Sequence, residues 1–176
     1  LGDKTCVLVE QNAGQWRVAP GVAERLQPLR DAALLVLLGD VFDLSIAGFK
    51  DAFSAAKPFF ELLRQMGVRR MLYVPGNHDS MVWHALEYET RVVRPISLGE
   101  PPGLFRSVQP AVIRLGSTGV EVSLPGLSNP PGDVFLKSLM GEGVVVAYPN
   151  AYLVTPGQTV LLTHGVYQNR SQMMAR

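Results

Sequence analysis

Thiol chemistry is nearly absent from this chain. Cys6 is its only cysteine, which excludes a disulfide framework and a thiolate metal cluster and reads as a buried or half-buried thiol. A reducing compartment is compatible with that usage. Charge of one sign is lacking too. Sixteen basic residues stand against fifteen acidic ones, for a net charge of +1, and that balance leaves no electrostatic footprint for nucleic acid or an anionic membrane. An anionic small substrate stays possible, because a bound metal supplies positive charge locally. No apolar run reaches the roughly 20 residues that span a bilayer. The N-terminus has neither the basic flank nor the apolar core of a signal peptide, so a cytoplasmic location is the expectation. The chain shows no internal repeat. No glycine-rich fingerprint follows the first strand-like run, which counts against a dinucleotide-binding protein.

What is present fits one globular domain. The chain has 176 residues, 47% of them apolar and 18% charged, enough for a sizeable core. It begins at Leu1 rather than Met, so the natural start is expected to lie upstream. Thr5 to Val9 reads as a short strand or a loop, and Gln11 to Gln15 as a loop. A helix opens at Ala19-Pro20, with Val22, Leu26 and Leu29 at helical spacing and Pro28 shortening it. Leu34 to Leu38 is a strand buried on both faces. The spacing of Phe49, Phe53, Ala56, Phe59, Phe60, Leu63 and Met66 predicts a helix from about Gly48 to Met66. A break is expected near Pro58, and Gly67 is the cap. Met71 to Val74 is a second buried strand, completing a βαβ crossover. Ser80 to Val93 is helical, and Arg94 to Arg106, rich in proline and glycine, is a surface loop. Ala111–Leu115 and Val120–Leu124 form a hairpin around two glycines. Asn129 to Gly132 is a turn, and Val134 to Met140 a short helix or loop. Gly143–Tyr148, Ala151–Val154 and Gln158–Leu162 are strands. A βαβ-like first half and a mostly β second half predict an α/β fold, a layered sandwich of two mixed sheets flanked by helices.

The chemistry gathers where strands end. Gly39-Asp40-Val41-Phe42-Asp43 follows Leu34–Leu38, Gly76-Asn77-His78-Asp79 follows Met71–Pro75, and His164-Gly165 follows Thr159–Thr163. Each time an apolar run delivers Asp, Asn or His where a glycine lets the chain turn. A carboxylate (Asp40), an amide oxygen (Asn77) and an imidazole (His164) form a mixed oxygen and nitrogen set. That set suits Mn²⁺, Fe or Zn²⁺ better than Ca²⁺ or a thiolate zinc site. Asp43 and Asp79 supply carboxylates outside that set. His84 reads as a surface helix residue. Trp83, Tyr88 and Tyr167 read as packing, with stacking on a base or cover for an apolar chain as the alternative. The phenylalanine-rich segment Leu44 to Phe60 is expected to flank the site with apolar surface.

The series Gly39-Asp40-x-x-Asp43, Gly76-Asn77-His78-Asp79 and strand-terminal His164-Gly165 resembles the calcineurin-like metallophosphoesterase superfamily, over nearly the whole chain. The resemblance implies a four-layer α/β/β/α sandwich and two divalent metal ions, Mn²⁺ foremost, with Fe or Zn²⁺ as alternatives. It also implies hydrolysis of a small-molecule phosphoester, a monoester or a diester, by in-line attack of an activated water. By position, Asp40 would bridge the two ions, and Asn77 and His164 would bind the second. His78 would contact the phosphate and protonate the leaving oxygen, and Asp79 would orient His78. Asp43 would lie outside the ligand set. Two features of that superfamily are missing. Its opening Asp-x-His element, commonly followed by Leu-Gly, is expected to lie immediately upstream of Leu1-Gly2-Asp3, and its closing Gly-His-x-His element does not follow His164. The first metal site keeps only Asp40, so the chain reads as part of a two-metal enzyme with both ends cut from the site, poorly active or inactive as it stands. The alternative is a non-catalytic binding or scaffold module on the same fold.

Overall fold

The computed structural model describes residues 8–117, 119–125 and 136–164. Cys6, the turn from Asn129 to Gly132, Gly165 and Tyr167 lie outside these. The described chain opens with a hairpin of β1 (Val9–Asn12) and β2 (Gln15–Val18), paired antiparallel from Val9↔Val18 to Asn12↔Gln15. A loop is expected there from sequence. The structure instead turns at Ala13 and Gly14, with φ of 48° and 80°. Two successive positive φ values are the twist a two-residue hairpin needs. Alanine in place of the usual asparagine conceals that signal.

The predicted helix after Pro20 is only one turn, α1 (Val22–Arg25), continued by a 3-10 turn over Gln27–Leu29 that contains Pro28. Then β3 (Leu35–Leu38), α2 (Phe49–Gln65) and β4 (Met71–Val74) build the expected strand–helix–strand unit, with β3 parallel to β4. Pro58 does not break α2, which runs unbroken for 17 residues. An interior proline costs about 3 kcal/mol or more. Beyond it, Phe59, Phe60 and Leu63 are all buried, each burial contributing roughly 1.5–3 kcal/mol, so packing outweighs the lost hydrogen bond.

Helix α3 (Met81–Tyr88) passes through a wide π turn at Glu89–Val93 into α4 (Arg94–Ser97). The surface loop expected from Arg94 therefore starts only after Ser97. Pro95 falls in the first turn of α4, where its missing N–H is harmless. The predicted hairpin is present as β5 (Ala111–Gly116) and β6 (Gly119–Ser123). After α5 (Leu136–Met140) come β7 (Val144–Val146), β8 (Asn150–Thr155) and β9 (Gln158–Thr163).

Strands β3-β4-β7 form a parallel sheet, and β6-β5-β8-β9 a mixed one in which β5 and β8 are parallel. Side chains alternate across a strand, and β4 uses both sides. Met71 and Tyr73 join the helices in a core with Phe42, Phe60, Leu63 and Trp83. Leu72 and Val74 pack against Ala111, Ile113 and Ala151 of the second sheet. The described chain is thus a mixed α/β fold in which helices cover one face of the parallel sheet and the second sheet covers the other. Among the described strands, only β4 is buried along its whole length. The sequence expectation for β3 is burial on both faces, but β3 is a sheet edge with Leu38 39% exposed. No helix among the described residues is long and apolar enough to cross a membrane.

Candidate functional site

Three chain turns converge at the ends of β3, β4 and β9. After β3 the backbone passes through two left-handed residues in succession, Gly39 (φ 79°) and Asp40 (φ 49°). Such a φ is uncommon outside glycine, and Asp is among the residues that tolerate it. The turn aims both Asp40 oxygens at other elements. Its Oδ1 accepts the His78 backbone N–H at 3.0 Å, and its Oδ2 lies 2.7 Å from His164 Nε2. His164 arrives from the other sheet, and its Nδ1 is 3.1 Å from the Leu38 carbonyl. Gly76 is buried where these meet. A Cβ there would stand 2.8 Å from Asp40 N and 2.7 Å from His164 Cδ2, so close approach of backbone to side chain demands glycine.

The proton count at His164 is informative. A carbonyl can only accept, so the bond to Leu38 places a proton on Nδ1. In the neutral ring that turns the Nε2 lone pair toward a carboxylate oxygen 2.7 Å away. Two lone pairs at that distance repel unless a proton or a metal cation lies between them. Adjacent ligands on an ion with bonds near 2.1 Å stand about 3.0–3.4 Å apart, so the pair would open by about 0.3–0.7 Å to take a cation. The ring's other nitrogen already has the backbone partner that metal-binding histidines use. Asn77, the amide that the resemblance adds to this set, is exposed at the adjoining turn. Among the described residues no three His, Cys, Asp or Glu side chains cluster to hold a metal. Asp40 and His164 are the two donors that the structure brings together.

His78 stands beside this pair, exposed, with Nδ1 3.0 Å from Asp43 Oδ1. Asp43 also accepts from the Ser45 backbone N–H and from the Ser45 hydroxyl. That hydroxyl lies 3.4 Å from His78 Nδ1. The resemblance gives Asp79 the task of orienting His78, but the hydrogen bond comes from Asp43. Asp79 is fully buried. Its Oδ1 accepts the Gly76 N–H at 2.5 Å, and its Oδ2 accepts the N–H groups of Val41 (2.8 Å) and Phe42 (3.2 Å) and the Tyr73 hydroxyl. It fastens the Asp40 turn to the Asn77 turn from beneath. Burial, then the Asp79 charge, pushes the Tyr73 hydroxyl far above its ordinary pKa, so it remains a donor.

Ser45 and Tyr73 are missing from the sequence reading. Ser45, two residues beyond an aspartate in a turn, is a side-chain-to-backbone signal. Tyr73 is the one polar-tipped residue in a strand otherwise apolar, and such a tip requires a buried partner.

The hydrogen bond from Asp43, with the Asp40 charge next, raises the pKa of His78. The bond from Ser45, then that from His78, lowers the pKa of Asp43. The signs are complementary. His78 contributes stability fully below its unfolded value near 6.5, lost as pH rises through its folded value. Asp43 contributes stability above its unfolded value, lost as pH falls through its folded one. NMR titration of the chelator-treated protein is expected to place the His78 midpoint above that of a free histidine, and Asp43→Asn to lower it. An unmoved midpoint would refute the pairing.

Compared with family models, curated proteins and solved structures, the chain matches none.

Proposed function

We propose that this domain is a metal-dependent phosphoester hydrolase of the metallophosphoesterase kind. The observation that carries the reading is the facing of His164 Nε2 and Asp40 Oδ2 across 2.7 Å, which a cation would reconcile. Asp40, His164 and Asn77 would hold that ion. When bound, a divalent ion neutralises phosphate charge and makes water a better nucleophile. The remaining tasks fall to the chain. Asp43 and Ser45 engage Nδ1 of His78 and keep the ring protonated at higher pH than usual. Nε2 then donates its proton to the oxygen that leaves as the P–O bond breaks. Asp79 and Tyr73 fix the distance between the two turns. The helix, sheet and sheet layers support the layered sandwich of that superfamily, whose four-layer form is part of this proposal, as are a cytoplasmic location and a small-molecule substrate.

The test combines binding and turnover. Mn²⁺ binding, read by electron paramagnetic resonance, is expected in the wild type and lost in Asp40→Ala and His164→Ala. Mn²⁺-dependent hydrolysis of an aryl phosphate is expected to fall at least about 100-fold in His78→Ala. Undiminished turnover in both Asp40→Ala and His78→Ala would sink the assignment. One observation favours a second reading, a non-catalytic binding module: the described residues supply donors for a single ion. Mn²⁺ binding with no turnover would select it.

A further inference from the structure

An apolar groove of about 380 Å³ lies between α2 and α3, lined by Phe49, Lys50, Phe53 and Ala85. Its volume is within the range of small-ligand cavities, roughly 300–1,000 Å³. Both helices leave from the candidate site. Helix α3 starts directly behind Asn77-His78-Asp79, and α2 starts just past Ser45, the residue beside His78. Phe42 links the two places: its N–H is held by Asp79, and its ring centroid is 4.7 Å from that of Phe53. Phe53 in turn meets Phe49 edge-on at 5.6 Å. On α3, Met81, Ala85 and Tyr88 recur at i, i+4 and i+7 and so share a face. Met81 and Tyr88 are both exposed. Ile46, in the connection from Asp43 to α2, is 83% exposed.

The lining decides the chemistry of the occupant. Its exposed atoms are apolar, so Lys50 lines it with methylenes and its ammonium stands outside the lining. A nucleobase would bring donors and acceptors that the groove leaves unpartnered, at a cost. An aliphatic chain has none to satisfy. An apolar groove between two helices that both start at the proposed phosphate site matches a molecule with an anionic head and an apolar tail.

We infer that the substrate is an amphiphilic phosphoester, its phosphate at His78 and its alkyl or prenyl tail in the groove between α2 and α3. This rests on the hydrolase reading above. Ethyl phosphate and octyl phosphate, both below micelle-forming concentration, separate the two claims when phosphate release is followed with the Mn²⁺-loaded protein. Burying part of six added methylenes is expected to give octyl phosphate a KM about 10- to 100-fold lower. Ala85→Trp, which fills the groove, is expected to collapse that ratio toward unity. Turnover of ethyl phosphate with no dependence on chain length overturns this inference alone. A chain-length ratio unaltered by Ala85→Trp in a variant that melts like the wild type also overturns it. Failure to turn over either ester overturns it together with the hydrolase reading.

Discussion

Asp79→Ala is expected to destabilise the fold by about 3–5 kcal/mol, seen as a large fall in the urea midpoint. Removing one side chain strands four donors: the N–H groups of Val41, Phe42 and Gly76 and the hydroxyl of Tyr73. Each stranded buried group costs roughly 1–3 kcal/mol, less whatever water can recover. Asp79 is fully buried, so water recovers little. Nor can Tyr73 escape by ionising, because burial and its neighbour hold its proton tightly. Asn in place of Asp keeps one acceptor oxygen but turns an NH₂ toward other donors, and should fall between. Adding Tyr73→Phe to Asp79→Ala removes one stranded donor and should recover part of the loss, giving a coupling of opposite sign to simple addition. An Asp79→Ala variant within 1 kcal/mol of the wild type would rule out the clamp described here.

Gly76→Ala is expected to abolish Mn²⁺ binding and to cost a further 1–3 kcal/mol, the usual penalty of overpacking. The added methyl meets Asp40 and His164 together, and one of its contacts is backbone, Asp40 N. Backbone cannot rotate away as a side-chain tip can, so the pair must separate or the turn must move. Gly48→Ala is the control. Gly48 has an ordinary φ of −68° and open space around it, and alanine there should change neither quantity appreciably. Equal behaviour of the two variants would show that the closeness at Gly76 has no bearing on the pair.

The elements most legible in the sequence were those set by uninterrupted apolar spacing. Met71–Val74 and the repeat from Phe49 to Leu63 announce themselves because burial alone dictates them. Features depending on a single backbone angle did not. Ala13-Gly14 makes a hairpin through φ, and Pro58 sits inside a helix because aromatic packing on both sides of it wins. The turns bearing Asp40, Asn77 and His164 could be located from glycines and strand ends. Which carboxylate serves which partner could not. Asp43 and Asp79 look alike in the sequence, yet one lies in solvent beside His78 and the other lies under the site. Direction of a side chain at a turn is settled by tertiary packing, not by spacing.

The bond between His164 Nδ1 and the Leu38 carbonyl spans 126 positions of the chain. Contacts that distant form late, because the entropy of closing so long a loop is paid before they reward it. Asp40 and Leu38 can reach their neighbours in the first sheet long before β9 arrives. The site is therefore whole only when the second sheet, which carries His164 at the end of β9, has docked on the first, and helices folded around Trp83 do not suffice. Competence at Asp40 certifies that the second sheet has docked.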